Sequence, residues 1–337
     1  MNSTPTQQSL LEHYVKKILA APVYELAVRT PLQAAPALSE ALGNQILLKR
    51  EDLQPTFSFK IRGAYNKLVN LSDEQKARGV ITASAGNHAQ GVALAARELG
   101  IAATIVMPCT TPELKVLGVR SRGADAVLHG ESFPFALAYA LDLAQQTGRT
   151  FVSPFDDPDV IAGQGTVGME ILRQHQGPLD VIFVPVGGGG LIAGIAAYVK
   201  YLRPEVRIIG VESEHSACLQ AALQAGERVV LPTVGTFADG VAVAQIGAHG
   251  FEVCRFCVDE VLTVSNDELC AAIKNIYDDT RSITEPSGAL AVAGIKQYVA
   301  KTGTRGQTLV AIDSGANINF DSLRHVAERA ALSGAPA

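Results

Sequence analysis

Four consecutive glycines directly after an apolar, β-branched run are the first feature of this 337-residue chain that could do chemistry. Val181–Val186 reads as a strand, Gly187, Gly188, Gly189 and Gly190 follow it, and Leu191-Ile192-Ala193 opens a helix. Amides without Cβ bulk at the positive end of a helix form an anion cradle, and a phosphate suits it. A tight strand-to-helix turn is the bland alternative, but four glycines in a row lose much conformational entropy on folding without gaining packing. The spacing Gly188-x-Gly190-x-x-Ala193, with Glu212 ending the next strand 22 residues after Gly190, also fits a relaxed dinucleotide fingerprint. On this loop alone a nicotinamide cofactor therefore competes with other phosphates.

Two further groups have no place in a dinucleotide fingerprint. Lys60 follows Phe57-Ser58-Phe59 and precedes Ile61-Arg62-Gly63-Ala64, mostly apolar surroundings for an amine. Burial there disfavours its charged form and makes it a better nucleophile at neutral pH, although a single lysine is far more often solvated than catalytic. The loop Ser84-Ala85-Gly86-Asn87-His88 follows the strand Val80–Ala83 and begins the next helix. It gathers a hydroxyl, a carboxamide and helix-end N–H groups, a suitable receptor for a carboxylate. A helix cap would need only Ser84 or Asn87, not several converging polar groups.

Strands expected at Ile46–Lys49, Val80–Ala83, Ala103–Met107, Ala126–Leu128, Val181–Val186, Val206–Val211 and Thr308–Ile312 would position these loops. They alternate with helices expected at Ile61–Leu71, His88–Leu99, Pro112–Arg120, Phe133–Gln146, Leu191–Leu202, Ala217–Ala225, Asp267–Asp278 and Ser287–Val299. Strand and helix in turn imply a mostly parallel α/β fold with helices on both sheet faces. Leu10, Leu11, Tyr14, Val15, Ile18 and Leu19 fall at helical spacing, giving an opening helix for packing or subunit contact. With no repeat and no internal linker, the expected division is a small unit over 79–154 and a large one over 1–78 plus 155–330, with 331–337 as a tail.

Composition removes several function classes. Hydrophobic residues make up 47% of the chain and charged residues 18%, below the usual ~25%, which excludes disorder. The net charge is −5 and the basic runs are pairs such as Lys16-Lys17 and Lys49-Arg50, leaving no footprint for nucleic acid. Cys109, Cys218, Cys254, Cys257 and Cys270 form no disulfide framework, and the opening residues lack a signal peptide's pattern, so the cytoplasm is expected. Val181–Val199 is free of charge but interrupted by Pro185 and Gly187–Gly190, which speaks against a membrane span. Cys254-x-x-Cys257 has no second pair to complete a zinc set and, with Phe251, suits a buried helix face.

Taken in order, the motifs Lys49-Arg50-Glu51-Asp52, Ser58-Phe59-Lys60-Ile61-Arg62-Gly63-Ala64, Thr82 to Gly91, Val184 to Leu191, Glu285-Pro286-Ser287-Gly288-Ala289 and Ser314-Gly315-Ala316-Asn317 are highly specific. In them the chain resembles the fold type II pyridoxal phosphate enzymes and, within these, the biosynthetic threonine deaminases, over about Pro22 to Arg329. The resemblance implies a tryptophan synthase β-like α/β architecture: two open, mostly parallel sheets with flanking helices and pyridoxal 5′-phosphate in the cleft between them. It implies that Lys60 holds the cofactor covalently, Phe59 packs on its ring and Asn87 bonds the ring's 3-oxygen. Gly187–Gly190 and Leu191 would take the phosphate, Gly240 would lie beside the cofactor, and Ser314 would meet the pyridine nitrogen. Ser84, Ala85, Gly86, Asn87 and His88 become the substrate carboxylate loop, with Phe155, Asp239 and Gly240 as the wall near the β-carbon.

The reaction so implied is β-elimination. L-Threonine's amine displaces Lys60, the freed amine takes the α-proton, the β-hydroxyl departs as water, and the aminoacrylate-type product leaves and is hydrolysed to 2-oxobutanoate and ammonia, with L-serine giving pyruvate in the same way. A homotetramer or homodimer is carried over with the family. Serine racemase is the nearest competing relative. Such enzymes carry a hydroxyl residue where this chain has Ala85, and a second carboxylate where it has Cys218 after Glu212, so neither racemisation nor a divalent metal is expected. Asp313 stands where an apolar residue is expected; as Ser314's strand neighbour it should point away from the ring. Because the chain ends soon after the resemblance does, without a C-terminal regulatory domain, activity without isoleucine feedback is expected.

Overall fold

Alternate residues of the strands bury on opposite faces. In the computed structural model, which describes residues 5–332, Val181 and Phe183 belong to one apolar cluster and Ile182 and Val184 to another. Leu309 and Ala311 are separated from Val310 and Ile312 in the same way. A sheet apolar on both faces needs helices on both, and the chain supplies them.

The strands are β1 (Leu32–Ala34), β2 (Gln45–Arg50), β3 (Val80–Ala83), β4 (Ala103–Met107), β5 (Asp125–Leu128), β6 (Thr150–Phe151), β7 (Val181–Pro185), β8 (Arg207–Ser213), β9 (Glu260–Val264) and β10 (Thr308–Asp313). Six form one sheet in the order β1-β2-β10-β7-β8-β9, parallel except for the β1–β2 pair. The other four form a parallel sheet in the order β5-β4-β3-β6, all within residues 80–151. The helices are α1 (Pro5–Ala20), α2 (Pro36–Leu42), α3 (Lys60–Val69), α4 (Asp73–Arg78), α5 (Asn87–Glu98), α6 (Glu113–Arg120), α7 (Phe133–Thr147) and α8 (Pro158–Gln174). They continue with α9 (Gly190–Leu202), α10 (Cys218–Ala225), α11 (Ala248–Cys257), α12 (Asn266–Thr280), α13 (Pro286–Thr302) and α14 (Ser322–Leu332). Residues 333–337 of the expected tail lie outside the described residues.

The expected strands and helices are present, with ends shifted by a few residues. Leu11, Tyr14, Val15 and Ile18 of α1 are buried, whereas Leu19 is exposed. Phe251, Cys254 and Cys257 are buried together on α11. Pattern reading missed β1, β6, β9, the helices α2, α4 and α14 and, most consequentially, α8. Its three glycines argue against a helix by propensity. They are there because neighbouring backbones come close: a Cβ on Gly163 would lie 2.6 Å from the Arg62 carbonyl, and one on Gly165 3.0 Å from that of Gly194. Pro158 at the first turn and the Asp157 carboxylate, accepting from the amides of Asp159 and Val160, start the helix.

Helices α3 and α8 are fastened by a buried ionic quartet. Arg62, fully buried, gives two hydrogen bonds to Glu51, at 2.7 and 2.8 Å, and two to Glu170, at 2.6 and 3.0 Å. Lys49 adds a 2.5 Å contact to Glu170 and a 2.6 Å bond to the Thr30 carbonyl. Two cations and two anions cancel. Burial alone would push the Glu51 carboxyl up, but Arg62 and Lys49 hold it below the usual carboxylate range. Among the described residues no helix is long and apolar enough to cross a membrane.

Removing one member strands the others. Arg62→Met is expected to destabilise the protein by about 3–5 kcal/mol, because Glu51 and Glu170 then share one cation in a dry site. The shift of its urea midpoint relative to the parent measures this.

Candidate active site

Loops leaving the carboxyl ends of β3, β6, β7 and β10 converge on a cleft of about 900 Å³ between the two sheets. Crevices at these strand ends are where open α/β sheets bind ligands, because loops and helix N-termini meet there. Phe59, Lys60, Ser84, Ala85, Gly86, Asn87, His88, Phe155, Gly187–Gly190, Leu191, Asp239, Gly240 and Ser314 all line it. The structure thus brings every residue that the resemblance assigns to cofactor or substrate to one cavity.

Lys60 is the first residue of α3, and its Nζ donates to the Pro154 carbonyl at 2.8 Å. Burial lowers its pKa to about 8, against a smaller opposing pull from Glu285. Its position follows from its helix: Arg62, two residues on, is locked in the quartet, and a Cβ on Gly91 of α5 would come within 3.2 Å of the Lys60 carbonyl carbon.

The glycine loop is as crowded behind as it is open in front. Gly189 has φ +88°, a left-handed conformation costly for other residues, and a Cβ on Gly188 would sit 2.1 Å from the Phe155 ring. Phe155 thus backs the glycine loop as well as lining the cleft. Cys218 Sγ donates to the Gly187 carbonyl at 3.3 Å from behind. Glu212, which a dinucleotide reading would assign to a ribose, caps α10 instead, accepting from the amides of Leu219 and Gln220 at 2.8 and 2.9 Å. It is fully buried and does not line the cleft, which removes the ribose contact and with it the case for a nicotinamide cofactor.

In the 84–88 loop one hydroxyl holds two backbone amides at the start of α5. Ser84 Oγ accepts from the amides of Gly86 and Ala89, both at 3.3 Å. His88 is buried with Nε2 on the Val152 carbonyl, and burial beside Lys60 pushes its pKa down to about 3. It is a neutral imidazole turned toward the protein, so its contribution to the loop is its backbone.

Asn87 is held at both ends of its amide. Its Nδ2 donates to Glu285 at 2.6 Å, and its Oδ1 accepts from Asn317 at 2.7 Å, leaving one amide hydrogen for a ligand. Sequence reasoning gave Glu285 no role. Its carboxylate lies in the cleft wall, also accepts from the Asn317 amide at 3.0 Å, and is pushed up to about 7 by burial and by Asp239. Its place in the Glu285-Pro286-Ser287 motif was the available signal, but the partners that give it meaning are 32 and 198 residues away. Asp239 reaches across to Lys115 of α6 at 2.7 Å, and Gly240 has no room for a Cβ, which would meet Ser287 Oγ at 2.7 Å. Ser314 lines the cleft while Asp313 does not, and lies fully buried on the other side of the strand.

A family model described as pyridoxal-phosphate dependent enzyme matches residues 23–315. The chain belongs to this family. It is 58% identical over 320 residues to the biosynthetic L-threonine dehydratase of Burkholderia multivorans and 54% identical over 319 residues to that of Escherichia coli. These alignments take in 94% and 95% of this chain but only 63% and 62% of those proteins, so the chain spans about three fifths of the curated relatives it matches. Among solved structures, the processed form of threonine deaminase isoform 2 from Solanum lycopersicum superposes with a TM-score of 0.95 at 48% identity, covering 99% of this chain and 91% of that one. Maize serine racemase gives 0.88 at 32% identity, with 94% and 97% covered.

The residues present suit the family's cofactor. A desolvated amine, a Cβ-free cradle at a helix N-terminus and the buried hydroxyl of Ser287, without a partner at the cleft wall, are what an aldehyde, a phosphate and a polar ring require. In cofactor-free protein the reaction of Lys60 with an added aldehyde should rise about fivefold from pH 7 to 8 and level off above pH 9, as its neutral fraction saturates. Mass-spectrometric quantification of the reduced adduct follows this, with exposed Lys16 still rising tenfold per unit as the internal reference.

Proposed function

We propose that this chain catalyses the dehydration and deamination of L-threonine to 2-oxobutanoate and ammonia, with L-serine to pyruvate as a second reaction, at the entry to isoleucine synthesis. The observation that carries the reading is the half-buried Lys60 amine, its pKa lowered by desolvation, facing one cleft with the Gly187–Gly190 cradle and the donor loop at Ser84 to His88. When bound, the cofactor supplies the electron sink that makes the α-proton removable.

Lys60 would hold the cofactor, and Gly187–Gly190 with Leu191 would cradle its phosphate. Phe59 lies beside the ring site, Gly240 leaves it room, and Ser314 offers a neutral hydroxyl at the nitrogen end. Such a partner leaves the ring a weaker sink and favours loss of the β-substituent. Asn87, its amide fixed by Asn317 and Glu285, would point its remaining hydrogen at the ring oxygen. The substrate carboxylate would lie on the N–H groups of the 84–88 loop, with Phe155, Asp239 and Gly240 toward the side chain. Lys60, once displaced, takes the α-proton, and its lowered pKa lets it act as a base near neutrality.

Ala85 supports elimination over racemisation, since a methyl group cannot deliver a proton to the opposite face. Residues 79–154 would form the small unit and 1–78 with 155–330 the large one. The protein would work in the cytoplasm as a homotetramer or homodimer.

The purified protein with pyridoxal phosphate should form 2-oxobutanoate from L-threonine, and Lys60→Ala should lower the rate by about 10³-fold or more. No product from a parent that shows the bound cofactor's visible band would overturn the substrate. D-Serine appearing from L-serine faster than pyruvate would favour the racemase reading.

A further inference from the structure

Asp313 is fully buried at the end of β10, one residue before the cleft-lining Ser314. Its Oδ1 lies 2.6 Å from Thr284 Oγ1, and that same hydroxyl lies 2.6 Å from the Gly315 carbonyl. A hydroxyl has one hydrogen to give, and a carbonyl has none. Both short contacts are satisfied together only if Thr284 donates to Gly315 and the Asp313 carboxyl donates to Thr284.

Charge counting gives the same answer. Arg50 makes a two-pronged pair with Asp52, at 2.9 and 2.7 Å, and donates also to Gln33 and Ser282. Its positive charge is therefore already matched. Asp313 Oδ2 is 3.7 Å from Arg50 Nε, a loose ionic contact beyond hydrogen-bond reach, and has no hydrogen-bond partner. An ionised Asp313 would be a surplus anion in a dry site, which proteins avoid by keeping the proton. The charged groups facing it are Arg50 and Asp52, from β2 and the turn after it. From the α13 side it meets Thr284 and Gly288, while the Glu285 carboxylate is turned to Asn87 and Asn317. Burial and the Asp52 charge both push its carboxyl well above the usual range.

We propose that Asp313 is a positioning residue kept as a neutral acid, whose hydrogen, relayed through Thr284 to the Gly315 carbonyl, helps to set the Ser314–Gly315 segment and adds no negative charge behind that end of the cleft. The assignment of Ser314 to the ring nitrogen rests on the proposed function; the proton on Asp313 does not. If Asp313 ionised, the Thr284 hydrogen would turn to it and leave the Gly315 carbonyl with the Glu285 amide alone, at 3.0 Å. Asn at this position keeps a donor toward Thr284 and a neutral group, so Asp313→Asn mimics the protonated acid.

Three measurements test this without assaying the reaction, the first two on the cofactor-loaded protein and the third of cofactor affinity. Infrared spectra at neutral pH of protein carrying carbon-isotope-labelled aspartate should show a protonated-carboxyl stretch that moves on aspartate labelling, not only on glutamate labelling, and is missing from Asp313→Asn. Labelling keeps the test valid in the parent even if the variant does not fold, and excludes Glu212 and Glu285 as its source. The second is unfolding between about pH 5 and 8. A carboxyl protonated only in the folded state loses stability as pH rises above its unfolded pKa, so the parent's folding equilibrium should fall about tenfold per pH unit relative to Asp313→Asn. Asp313→Asn should also bind the cofactor within about twofold of the parent, whereas Thr284→Val should bind it about tenfold more weakly. Absence of a labelled-aspartate carboxyl band, identical pH slopes in parent and Asp313→Asn, or cofactor binding unaffected by Thr284→Val would each overturn the proposal.

Discussion

Arg62 has no water to turn to. A guanidinium at zero exposure must find its partners within the protein, and it finds Glu51 on one side and Glu170 on the other. That requirement ties the turn after β2, the start of α3 and the far end of α8 into one unit, with Lys49 completing the balance. A buried quartet of this kind adds little net stability over apolar residues of the same shape. What it does is exclude other arrangements, since any slip of α3 along α8 would separate charges in a dry site. Lys60 is carried on the first turn of that helix. Its amine reaches the cleft in one orientation because the guanidinium two residues on has only one place to go.

Around this fixed helix the site is assembled mainly from backbone. The glycine loop offers amides, the 84–88 loop offers a helix N-terminus, and Pro154 offers the carbonyl that holds the Lys60 amine. Side chains enter chiefly to set directions: Ser84 fixes its own loop, Asn317 and Glu285 fix the face of Asn87, and Phe155 closes the rear of the cradle. Such a site resists small changes at its back more than at its front, where the cleft is open.

The parts legible in the sequence are those whose meaning is local. A strand running into glycines and then a helix is recognisable within a dozen residues, as are the 84–88 loop and the placing of Ser314 and Asp313 on opposite sides of a strand. Helix α8 was illegible because its glycines answer to neighbours, namely the backbone of Arg62 and that of Gly194, and not to its own helical preference. Glu285 and Thr284 were illegible for a related reason, since each acquires its role from a partner tens to hundreds of residues away. The relaxed dinucleotide spacing failed on tertiary grounds: the acid it needs is consumed in capping α10.

The two amides held by Ser84 have a consequence for what the cleft can admit. With its lone pairs occupied, the Ser84 oxygen has only its hydrogen left to give, and Asn87 has likewise had its carbonyl oxygen claimed by Asn317. The polar face turned toward a ligand is therefore made of hydrogens seeking oxygen. A free carboxylate, with acceptors alone, suits these hydrogens, whereas a carboxamide or a peptide bond brings an N–H that neither the Ser84 oxygen nor the Asn87 carbonyl oxygen is free to receive. If the loop receives the substrate carboxylate as proposed, it would favour free amino acids over amidated and peptide-linked ones before any bond is broken.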